Sequence, residues 1–559
     1  DGIRDAQESR GLGDVYKRQD MDLAQRLYNG VSDGWFMFSS PILSNAPAPG
    51  EKPLGLPISC FLNYVPDTLE GLIEHQAELA WLSVKGGGVG GHWSDVRAVS
   101  NKAPSPIPFI KVADSAMTAY KQGQTRKGSY AAYLDVSHPD IIEFLNIRIP
   151  SGGDSNRKCF NINNAVNVSD SFMDSVSSDS DWNLIDPHDN TVRDTIRARE
   201  LWERILETRF RTGEPYIHFI DQSNRELPEH LKKQGLEIKG SNLCAEITLP
   251  TNADRTAVCC LSSLNLEKFD EWIDSTIVED LIEMLDNVLT AFIKDAPQPQ
   301  LFRATSSAFT ERSLGLGAMG FHSYLQSKSI PWESAMAVGQ NKRMFAHIKA
   351  HAVKATKALA KTIGEYPFGK GSGRRNSHLL AIAPNANSGM IIGTSPSIEP
   401  LKSNSFIHKT RVGSHLIQNK HLQIVMEEHR LRLGRDNEWL EREWRNISHH
   451  QGSVQQLDYL TDWERDVFKT AFELDQHWIV QHASDRQVHI CQSQSLNLFF
   501  PAGSDKSYVN SVHLSAFNKK LKTLYYLRTS STQIAENVGQ KVDRVAIGDA
   551  ADECLACEG

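Results

Sequence analysis

Short apolar segments rich in β-forming residues alternate along this chain with long helical patterns. The apolar segments are "CFNINNAVNVS", "NLCAEITLP", "AVCCLSSLNL" and "LLAIAP", and the helical patterns lie near 66–84, 195–213, 277–294, 331–363 and 459–482. Strands that alternate with helices are typical of βαβ units, in which helices cover a parallel sheet or barrel. The alternation therefore predicts an α/β fold.

Length, charge and hydropathy exclude several classes of protein. A chain of 559 residues can bury a large core and form more than one structural unit. Its formal net charge of −8 argues against direct nucleic-acid binding, which needs a basic face. No run of about 18 apolar residues occurs, so the sequence predicts no membrane span. Residues 1–20 lack an apolar secretory core, so we interpret them as a non-native or disordered leader and predict a cytoplasmic protein.

The cysteines are too few for a disulfide scaffold, with eight in the chain. Two of them, Cys554 and Cys557, lie in the terminal string "ECLACEG". A thioredoxin-like CxxC needs a helix after it, and a zinc ribbon needs a second pair of similar spacing, which the adjacent Cys259 and Cys260 lack. Residues 529–559 are small and polar, which predicts a flexible tail. The dithiol is then either a stray pair on a disordered end or a mobile carrier of electrons.

The string "GGGVGG" matches the dinucleotide-binding pattern G-x-G-x-x-G through Gly86, Gly88 and Gly91. The match is weak, because a helical pattern precedes it where a Rossmann unit has a strand. We predict a glycine-rich loop here, and glycine would allow the backbone of such a loop to approach a nucleotide closely.

Three strings combine cysteines with polar partners: "LPISCFLNY" with Ser59 and Cys60, "KGSNLCAEITLP" with Asn242, Cys244 and Glu246, and "TAVCCLSSLNL" with Cys259 and Cys260. In an extended "NLCAE", the amide, the thiol and the carboxylate would share one face. A single buried cysteine is more often a small hydrophobic residue than a reactive one. The polar partners make that interpretation less favourable for the set, because they would need burial as well.

These strings, together with "ERSLGLGAMGFHSYL", "IAPNANSG…SIEP", "LKTLYYLRTS" and the terminal "CLAC", resemble the large, catalytic subunit of class I ribonucleotide reductases. The likeness runs from about residue 30 to the end. It implies a ten-stranded α/β barrel of two parallel five-stranded halves, antiparallel to each other, with a central finger loop that carries Cys244. It also implies a catalytic barrel at 21–528, a redox tail at 529–559, and no N-terminal ATP-binding cone in this chain.

The resemblance assigns a reaction, the reduction of ribonucleoside diphosphates to 2′-deoxyribonucleoside diphosphates. Cys244 would carry a thiyl radical that removes the 3′-hydrogen of the ribose. Glu246 would act as the general base, and Asn242 would hold the ribose hydroxyls. Cys60 and Cys259 would supply two electrons and become a disulfide, which requires their Cα atoms to lie within about 7 Å.

The resemblance also assigns the delivery of radicals and electrons. Tyr525 and Tyr526 would relay the radical from a metal-containing small subunit, and this chain would bind no metal or cofactor of its own. Cys554 and Cys557 would reduce the active-site disulfide again, and thioredoxin or glutaredoxin would reduce them in turn. A register error of one residue would exchange Cys259 for Cys260, and the pattern "CxLSxLNL" favours Cys259.

Further residues match the nucleotide sites of the family. Those expected to bind the substrate diphosphate are Ser40, Ser59, Pro384, Asn385, Ala386, Asn387 and Ser388. Those expected to bind a dNTP or ATP effector, or to report its identity, are Asp67, Arg97, Gln122 and Arg126. Without the resemblance, the first set would be ordinary turn residues and the second ordinary surface charges. The family also implies a homodimer, because its effector sites lie at the dimer interface.

Two other functions stay open. A cobalamin-dependent reductase would not need the tyrosine pair in "TLYYLRT". The other alternative is a non-catalytic protein that binds nucleotides. Its terminal cysteine pair and its adjacent cysteines would bind zinc or serve as plain thiols. Metal content and turnover would separate these alternatives.

Overall fold

The computed structural model describes residues 20–45, 55–100, 103–122, 126–410 and 413–530. The predicted leader, except for its last residue, lies outside these ranges, as do nearly all of the predicted tail and both of its cysteines. No helix in the described ranges combines the length and the hydropathy needed to cross a lipid bilayer.

The strands are short and are spread along the whole described chain. They are β1 Phe36–Phe38, β2 Cys60–Tyr64, β3 Gly88–His92, β4 Lys121–Gln122, β5 Arg126–Lys127, β6 Ser129–Asp135, β7 Asn163–Val168, β8 Asp181–Ile185, β9 Val192–Arg197, β10 Tyr216–Phe219, β11 Ala257–Asn265, β12 Leu314–Met319, β13 Ser405–Thr410, β14 Gly413–Gln418, β15 Leu498–Phe500, β16 Thr523–Leu524 and β17 Leu527–Thr529.

Helices fill most of the connections between them. They are α1 Met21–Ser32, α2 Ser40–Ser44, α3 Leu69–Val84, α4 Pro106–Ala119, α5 Ile141–Leu145, α6 Asp170–Ser178, α7 Ala198–Thr212, α8 Ile220–Arg225, α9 Glu229–Lys232, α10 Phe269–Trp272, α11 Ile277–Asp295, α12 Phe302–Glu311, α13 Phe321–Ser327, α14 Ala335–Ile363, α15 Ala386–Ile391, α16 Lys420–Arg432, α17 Asn437–His449, α18 Asp462–Val467, α19 Gln476–Gln487 and α20 Lys506–Asn518.

Two parallel halves form a closed barrel. The first half consists of β2, β3, β6, β7 and β10 in that order, each parallel to the next. The second half starts with β11 and β12 and continues through 379–383 and 492–496, which are joined by the parallel bridges Leu316–Leu380 and Ile382–Gln494. The backbone N–H of Tyr525 then donates to the carbonyl of Leu496 at 2.8 Å, which adds the segment around β16.

The halves meet along two antiparallel seams, between β2 and β11 and between β10 and β16. These seams close the ten-stranded ring, so the predicted α/β barrel is confirmed. The large hydrophobic core lies between the ring and the surrounding helices. A second cluster lies inside the ring and contains Cys60, Cys244, Cys259, Tyr216 and Tyr525.

The segment "NLCAEITLP" does not form the strand that its composition suggested. Residues 241–250 form a turn followed by irregular backbone, and Ala245 has a φ of 64°. A β-strand needs a negative φ at each residue, so this left-handed residue interrupts the extended backbone. The segment is instead a finger loop within the barrel, in agreement with the family likeness.

The predicted glycine-rich loop was also wrong, because "GGGVGG" mostly forms strand β3 of the barrel wall. The finger loop packs directly on this strand. A Cβ at Gly90 would lie 2.0 Å from the carbonyl oxygen of Ser241, and one at Gly91 would lie 1.7 Å from the hydroxyl oxygen of Tyr130. These glycines therefore allow close packing of the finger loop and of a buried tyrosine.

We expect Gly90→Ala to destabilise the fold by about 3 kcal/mol, because backbone atoms of the finger loop would have to move. Thermal and urea unfolding of the purified variant would measure the change. Gly339→Ala is the matched control, since an added Cβ at that helical position meets nothing within 4 Å. Alanine there should stabilise α14 by up to about 1 kcal/mol. Equal stabilities of the two variants would contradict the packing argument.

The single helical pattern predicted at 459–482 is two helices, α18 and α19. The second begins after Asp475, whose side chain accepts a hydrogen bond from the backbone N–H of His477. A capping aspartate at this position starts a new helix. The apolar periodicity of the sequence continues across the gap between the two helices, so it did not indicate the gap.

Candidate active site

The finger loop is held in place by the first half of the barrel. The Tyr133 hydroxyl on β6 donates to the carbonyl of Asn242 at 2.6 Å. Within the loop, the Ser241 hydroxyl donates to the carbonyl of Ile247 at 2.7 Å, and the N–H of Ile247 donates to Oδ1 of Asn242 at 3.1 Å. These bonds fix the turn between Asn242 and Ile247, so the thiol and the carboxylate that it carries have defined positions.

The second half of the barrel binds the same turn from the other side. The Ser495 hydroxyl donates to the carbonyl of Cys244 at 2.6 Å, and the N–H of Ser493 donates to the carbonyl of Glu246 at 2.8 Å. The contact continues at Gln492, whose Oε1 accepts the N–H of Thr248 at 3.3 Å. The segment 492–496 is thus a clamp on the finger loop.

Two cysteines face each other across the seam between the halves. Cys60 on β2 and Cys259 on β11 are direct partners in the antiparallel register, and both are fully buried. Directly opposed residues have Cα atoms about 4.5–5.5 Å apart, which is within the range of a disulfide. Cys260 points out of the ring and belongs to the outer core. The geometry therefore favours Cys259 over Cys260 as the partner of Cys60.

The amide and the carboxylate of the finger loop reach this cysteine pair. Nδ2 of Asn242 donates to Sγ of Cys60 at 3.3 Å, and Sγ of Cys60 lies 3.6 Å from Oε1 of Glu246. The other carboxylate oxygen lies 3.2 Å from the Ser495 hydroxyl. A carboxylate, a thiol pair and a further thiol on Cys244 thus share one buried site.

Burial changes the acid–base properties of this site. It raises the pKa of Glu246 to about 7, while hydrogen bonds from Asn242 and Ser495 oppose that rise. Burial also holds the pKa of Cys259 well above its usual value, and the hydrogen bond that Nε2 of Gln492 donates to its sulfur at 3.4 Å acts in the opposite direction. A carboxyl group with a pKa near 7 can exchange protons at neutral pH, which general base catalysis requires.

The two adjacent tyrosines follow β16 and are both buried. The hydroxyl of Tyr525 lies 3.5 Å from Sγ of Cys244. The rings of Tyr525 and Tyr526 are 4.3 Å apart between centroids, and Asn163 donates to the Tyr526 hydroxyl at 3.0 Å. Tyr526, Tyr525 and Cys244 are thus in consecutive contact, although their role in radical transfer stays a prediction.

The expected diphosphate-binding residues flank the end of β11. Ser40 starts helix α2 directly after β1, which pairs with β11, and Asn385 precedes helix α15. The Ser263 hydroxyl on β11 donates to Oδ1 of Asn385 at 2.9 Å. The two segments are therefore neighbours, and the Asn385 side chain is already used to hold them together. Ser59 lies beside the thiol site, where its hydroxyl is 3.5 Å from Sγ of Cys60.

The expected effector residues are only partly described. Nε of Arg97 forms an ion pair with Asp67 at 2.9 Å, and Nδ1 of His188 approaches the same carboxylate at 3.1 Å. An open pocket at the start of α3 is lined by this pair and by Thr68, Leu69, Ala103, Ser105 and Phe109. The side chains of Gln122 and Arg126 lie outside the described part of the chain.

Several residues at the site were not found by sequence reasoning. Tyr216 on β10 packs against both tyrosines, with ring centroids 4.7 Å and 5.0 Å away, and Arg528 lies over the Tyr526 ring at 4.2 Å. Gln492 and Ser495 contact the thiol and the finger loop. The sequence signal for Gln492 and Ser495 was the polar run "QSQS" between two apolar stretches. Polar residues in such a position are expected to be buried, and buried polar residues need hydrogen-bond partners.

Among the described residues, no group of three or more His, Cys, Asp or Glu side chains has the geometry of a metal site.

The ribonucleotide reductase barrel domain family matches residues 58–372 and 368–527. A reductase large-subunit relative from Frog virus 3 (isolate Goorha) is 51% identical over 551 residues, which cover 98% of this chain and 94% of the relative. The ribonucleoside-diphosphate reductase large subunit of Invertebrate iridescent virus 3 is 45% identical, over 97% of this chain and 93% of its own.

A solved structure agrees with these relatives. The Actinobacillus ureae class Id ribonucleotide reductase alpha subunit superposes with a TM-score of 0.82 at 34% identity, and the match covers 94% of this chain and 93% of that chain. The barrel, the finger loop and the sequence relatives lead to one conclusion: the chain belongs to the family of ribonucleotide reductase large subunits.

Proposed function

We propose that this chain reduces ribonucleoside diphosphates to 2′-deoxyribonucleoside diphosphates, the precursors for DNA synthesis. The proposal is supported most strongly by one observation, the contact of the Tyr525 hydroxyl with Sγ of Cys244 at 3.5 Å inside the barrel. The same site holds a carboxylate with a pKa of about 7 and a pair of opposed thiols. A radical entry point, a base and a two-electron reductant are the three components that the reaction needs.

Each group has one role in the proposed sequence. The thiyl radical of Cys244 takes the hydrogen atom from C3′, and Glu246 takes the proton of the 3′-hydroxyl. The 2′-hydroxyl leaves as water with a proton from the dithiol. Cys60 and Cys259 supply two electrons, deliver their second hydrogen to C2′ and form a disulfide. Glu246 returns its proton to the 3′-oxygen, and Cys244 returns its hydrogen atom to C3′ and becomes a radical again. Asn242 holds the ribose hydroxyls. One diphosphate and one dithiol thus give one deoxynucleotide, one disulfide and one water.

The radical comes from outside the chain in this proposal. A metal-containing small subunit would generate it, and Tyr526 and Tyr525 would pass it to Cys244. After turnover, Cys554 and Cys557 would reduce the disulfide by thiol exchange, and thioredoxin or glutaredoxin would reduce them. Free thiols of this kind persist in a reducing compartment, so a cytoplasmic location is part of the proposal.

Substrate and effector sites complete the proposal. Ser40, Ser59 and the segment 384–388 would bind the substrate diphosphate through hydroxyls, amides and backbone N–H groups. The pocket at Asp67 and Arg97 would take a dNTP or ATP effector, and Gln122 and Arg126, which pair between β4 and β5 after α4, would report its identity. Leu69 and Ile73 on α3 are 65% and 61% exposed beside this pocket, so an apolar helix face is available for a homodimer.

Reduction of CDP to dCDP tests the proposed function. The assay contains dithiothreitol and an effector nucleotide, and it is run with a class I small subunit from the same source, with adenosylcobalamin, or with neither. We expect turnover only with the small subunit. Turnover with adenosylcobalamin would show that the proposed radical source is wrong, although the chain would still be a ribonucleotide reductase. Absence of turnover in a folded protein with stoichiometric zinc would favour the non-catalytic thiol or zinc-binding alternative.

The activity should depend on pH through Glu246. Burial raises the pKa of its carboxyl group above the ordinary value to about 7, and only the carboxylate can accept the 3′-hydroxyl proton. The rate of CDP reduction should therefore fall as the pH decreases through about 7. Glu246→Gln removes the base without changing its size, and we expect a loss of about 10²–10⁴-fold. A rate independent of pH between 6 and 8, with chemistry limiting, would contradict this role.

A further inference from the structure

Ser495 connects the two chemically important residues of the finger loop. It lies on the barrel segment 492–496, and its side chain is buried. Its hydroxyl oxygen is 2.6 Å from the carbonyl oxygen of Cys244 and 3.2 Å from Oε2 of Glu246. Among the described hydrogen bonds, no finger-loop residue bonds to both the Cys244 carbonyl and the Glu246 carboxylate.

A serine hydroxyl has one proton to donate and two lone pairs to accept with. When Glu246 is a carboxylate, both neighbours of Ser495 are acceptors, and its proton can serve only one of them at a time. When Glu246 carries a proton, Oε2–H can donate to the Ser495 oxygen while the Ser495 proton remains on the Cys244 carbonyl. The contacts around Ser495 therefore depend on where the Glu246 proton is.

We propose that Ser495 is a positioning residue that anchors the radical cysteine through its carbonyl and adjusts its hydrogen bonds to both protonation states of Glu246. The inference rests on the proposed function, in which Glu246 takes a proton during each turnover. Ser495 touches neither the thiol nor the ribose in this scheme. It would hold the Cys244 carbonyl most firmly while Glu246 carries the proton, and it would share its donor between the carbonyl and the carboxylate once that proton has left.

The groups that face Glu246 come from each wall of the site. They are Cys60 on β2, Cys259 on β11, Asn242 on the finger loop, and Ser495. Among these neighbours, Asn242, Ser495 and Cys60 donate hydrogen bonds that stabilise the carboxylate. Since no lysine or arginine contributes to these interactions, the loss of one hydrogen bond should change the titration of Glu246 measurably.

The test compares Ser495→Ala with Ser495→Thr and Ser493→Ala. Threonine keeps the hydroxyl. Ser493 is the matched control on the same segment, because its hydroxyl bonds to Oγ1 of Thr523 at 2.6 Å and its backbone donor is kept in alanine. With the small subunit present, we expect Ser495→Ala to lower kcat about 10–100-fold and to move the acid limb of the pH–rate profile upward by about one pH unit. The threonine variant should restore both values, and Ser493→Ala should leave the acid limb unchanged.

A second measurement needs no turnover and separates this inference from the proposed function. The carboxyl infrared band that disappears in Glu246→Gln reports the protonation of Glu246 in the reduced large subunit alone. We expect its titration midpoint to be higher in Ser495→Ala than in the unchanged protein and in Ser493→Ala. Equal midpoints would overturn the role of Ser495, even if the enzyme is active. A shifted midpoint in a protein that does not reduce CDP would support the hydrogen-bond role and contradict only the proposed function.

Discussion

Cys244→Ser should abolish deoxynucleotide formation, with a loss on the order of 10⁴-fold or more. An O–H bond is harder to cleave homolytically than an S–H bond, so serine cannot take over the radical from Tyr525. The hydroxyl should still fit the space of the thiol, which is fully buried inside the barrel. The assay is CDP reduction with the small subunit, and the fold is checked by thermal unfolding and effector binding.

Cys260→Ala is the control for this variant. Cys260 is one residue from the proposed dithiol, but its side chain belongs to the core outside the ring. Its loss should cost about 1 kcal/mol of stability and leave turnover within about twofold. The assignment of Cys244 would be wrong if the serine variant kept substantial activity. The choice of Cys259 over Cys260 would be wrong if Cys260→Ala were inactive and Cys259→Ala active.

Tyr525→Phe should have the second-largest effect, a loss on the order of 10³-fold or more. The substitution keeps the ring that packs against Tyr216 and Tyr526, and it removes the hydroxyl that lies 3.5 Å from Sγ of Cys244. Phenylalanine has no phenolic hydrogen, so it cannot pass an electron and a proton in one step. Turnover with the small subunit measures the effect.

Tyr366→Phe controls for the loss of a buried phenolic hydroxyl. Tyr366 is fully buried, and its hydroxyl has no hydrogen-bond partner in the described part of the chain. We expect that variant to retain normal activity. Full activity of Tyr525→Phe with the small subunit would exclude the tyrosine relay and would leave cobalamin or another radical source to be considered.

The general fold could be predicted from the sequence because alternation of strands and helices is a local property. Helix α3 was expected at 66–84 and spans Leu69–Val84, and the helix expected at 195–213 spans Ala198–Thr212. Closure into a ten-stranded ring could not be predicted in this way. It depends on pairing between distant segments, such as β10 with β16, for which the family likeness and not the periodicity supplied the expectation.

The errors occurred where tertiary contacts override local preference. "NLCAEITLP" has the composition of a buried strand, but Ala245 adopts a positive φ and the barrel walls bind the segment as a loop. "GGGVGG" has the composition of a loop, but β3 needs glycines because the finger loop lies against it. In both cases, the deciding contact comes from a segment more than 100 residues away.

The site was predicted in part. Cys60, Cys244, Cys259, Asn242 and Glu246 were identified from a few short strings, and the structure brings them together, whereas Cys554 and Cys557 lie outside the described residues. Tyr216 was missed because it looks like an ordinary strand residue, and Gln492 and Ser495 were missed because the run "QSQS" does not reveal which partners its polar groups have. Ser495 in particular contacts Cys244 and Glu246 across about 250 positions of sequence, and no local pattern encodes such a contact.

A single-turnover reaction tests the central claim most directly. The large subunit with both Cys554 and Cys557 replaced by serine is reduced, freed of external thiol, and mixed with CDP, effector and the small subunit. We expect at most one dCDP per chain, together with one disulfide that peptide mapping assigns to Cys60 and Cys259. Formation of dCDP while both cysteines remain thiols would contradict the account, because the two electrons would then come from another source.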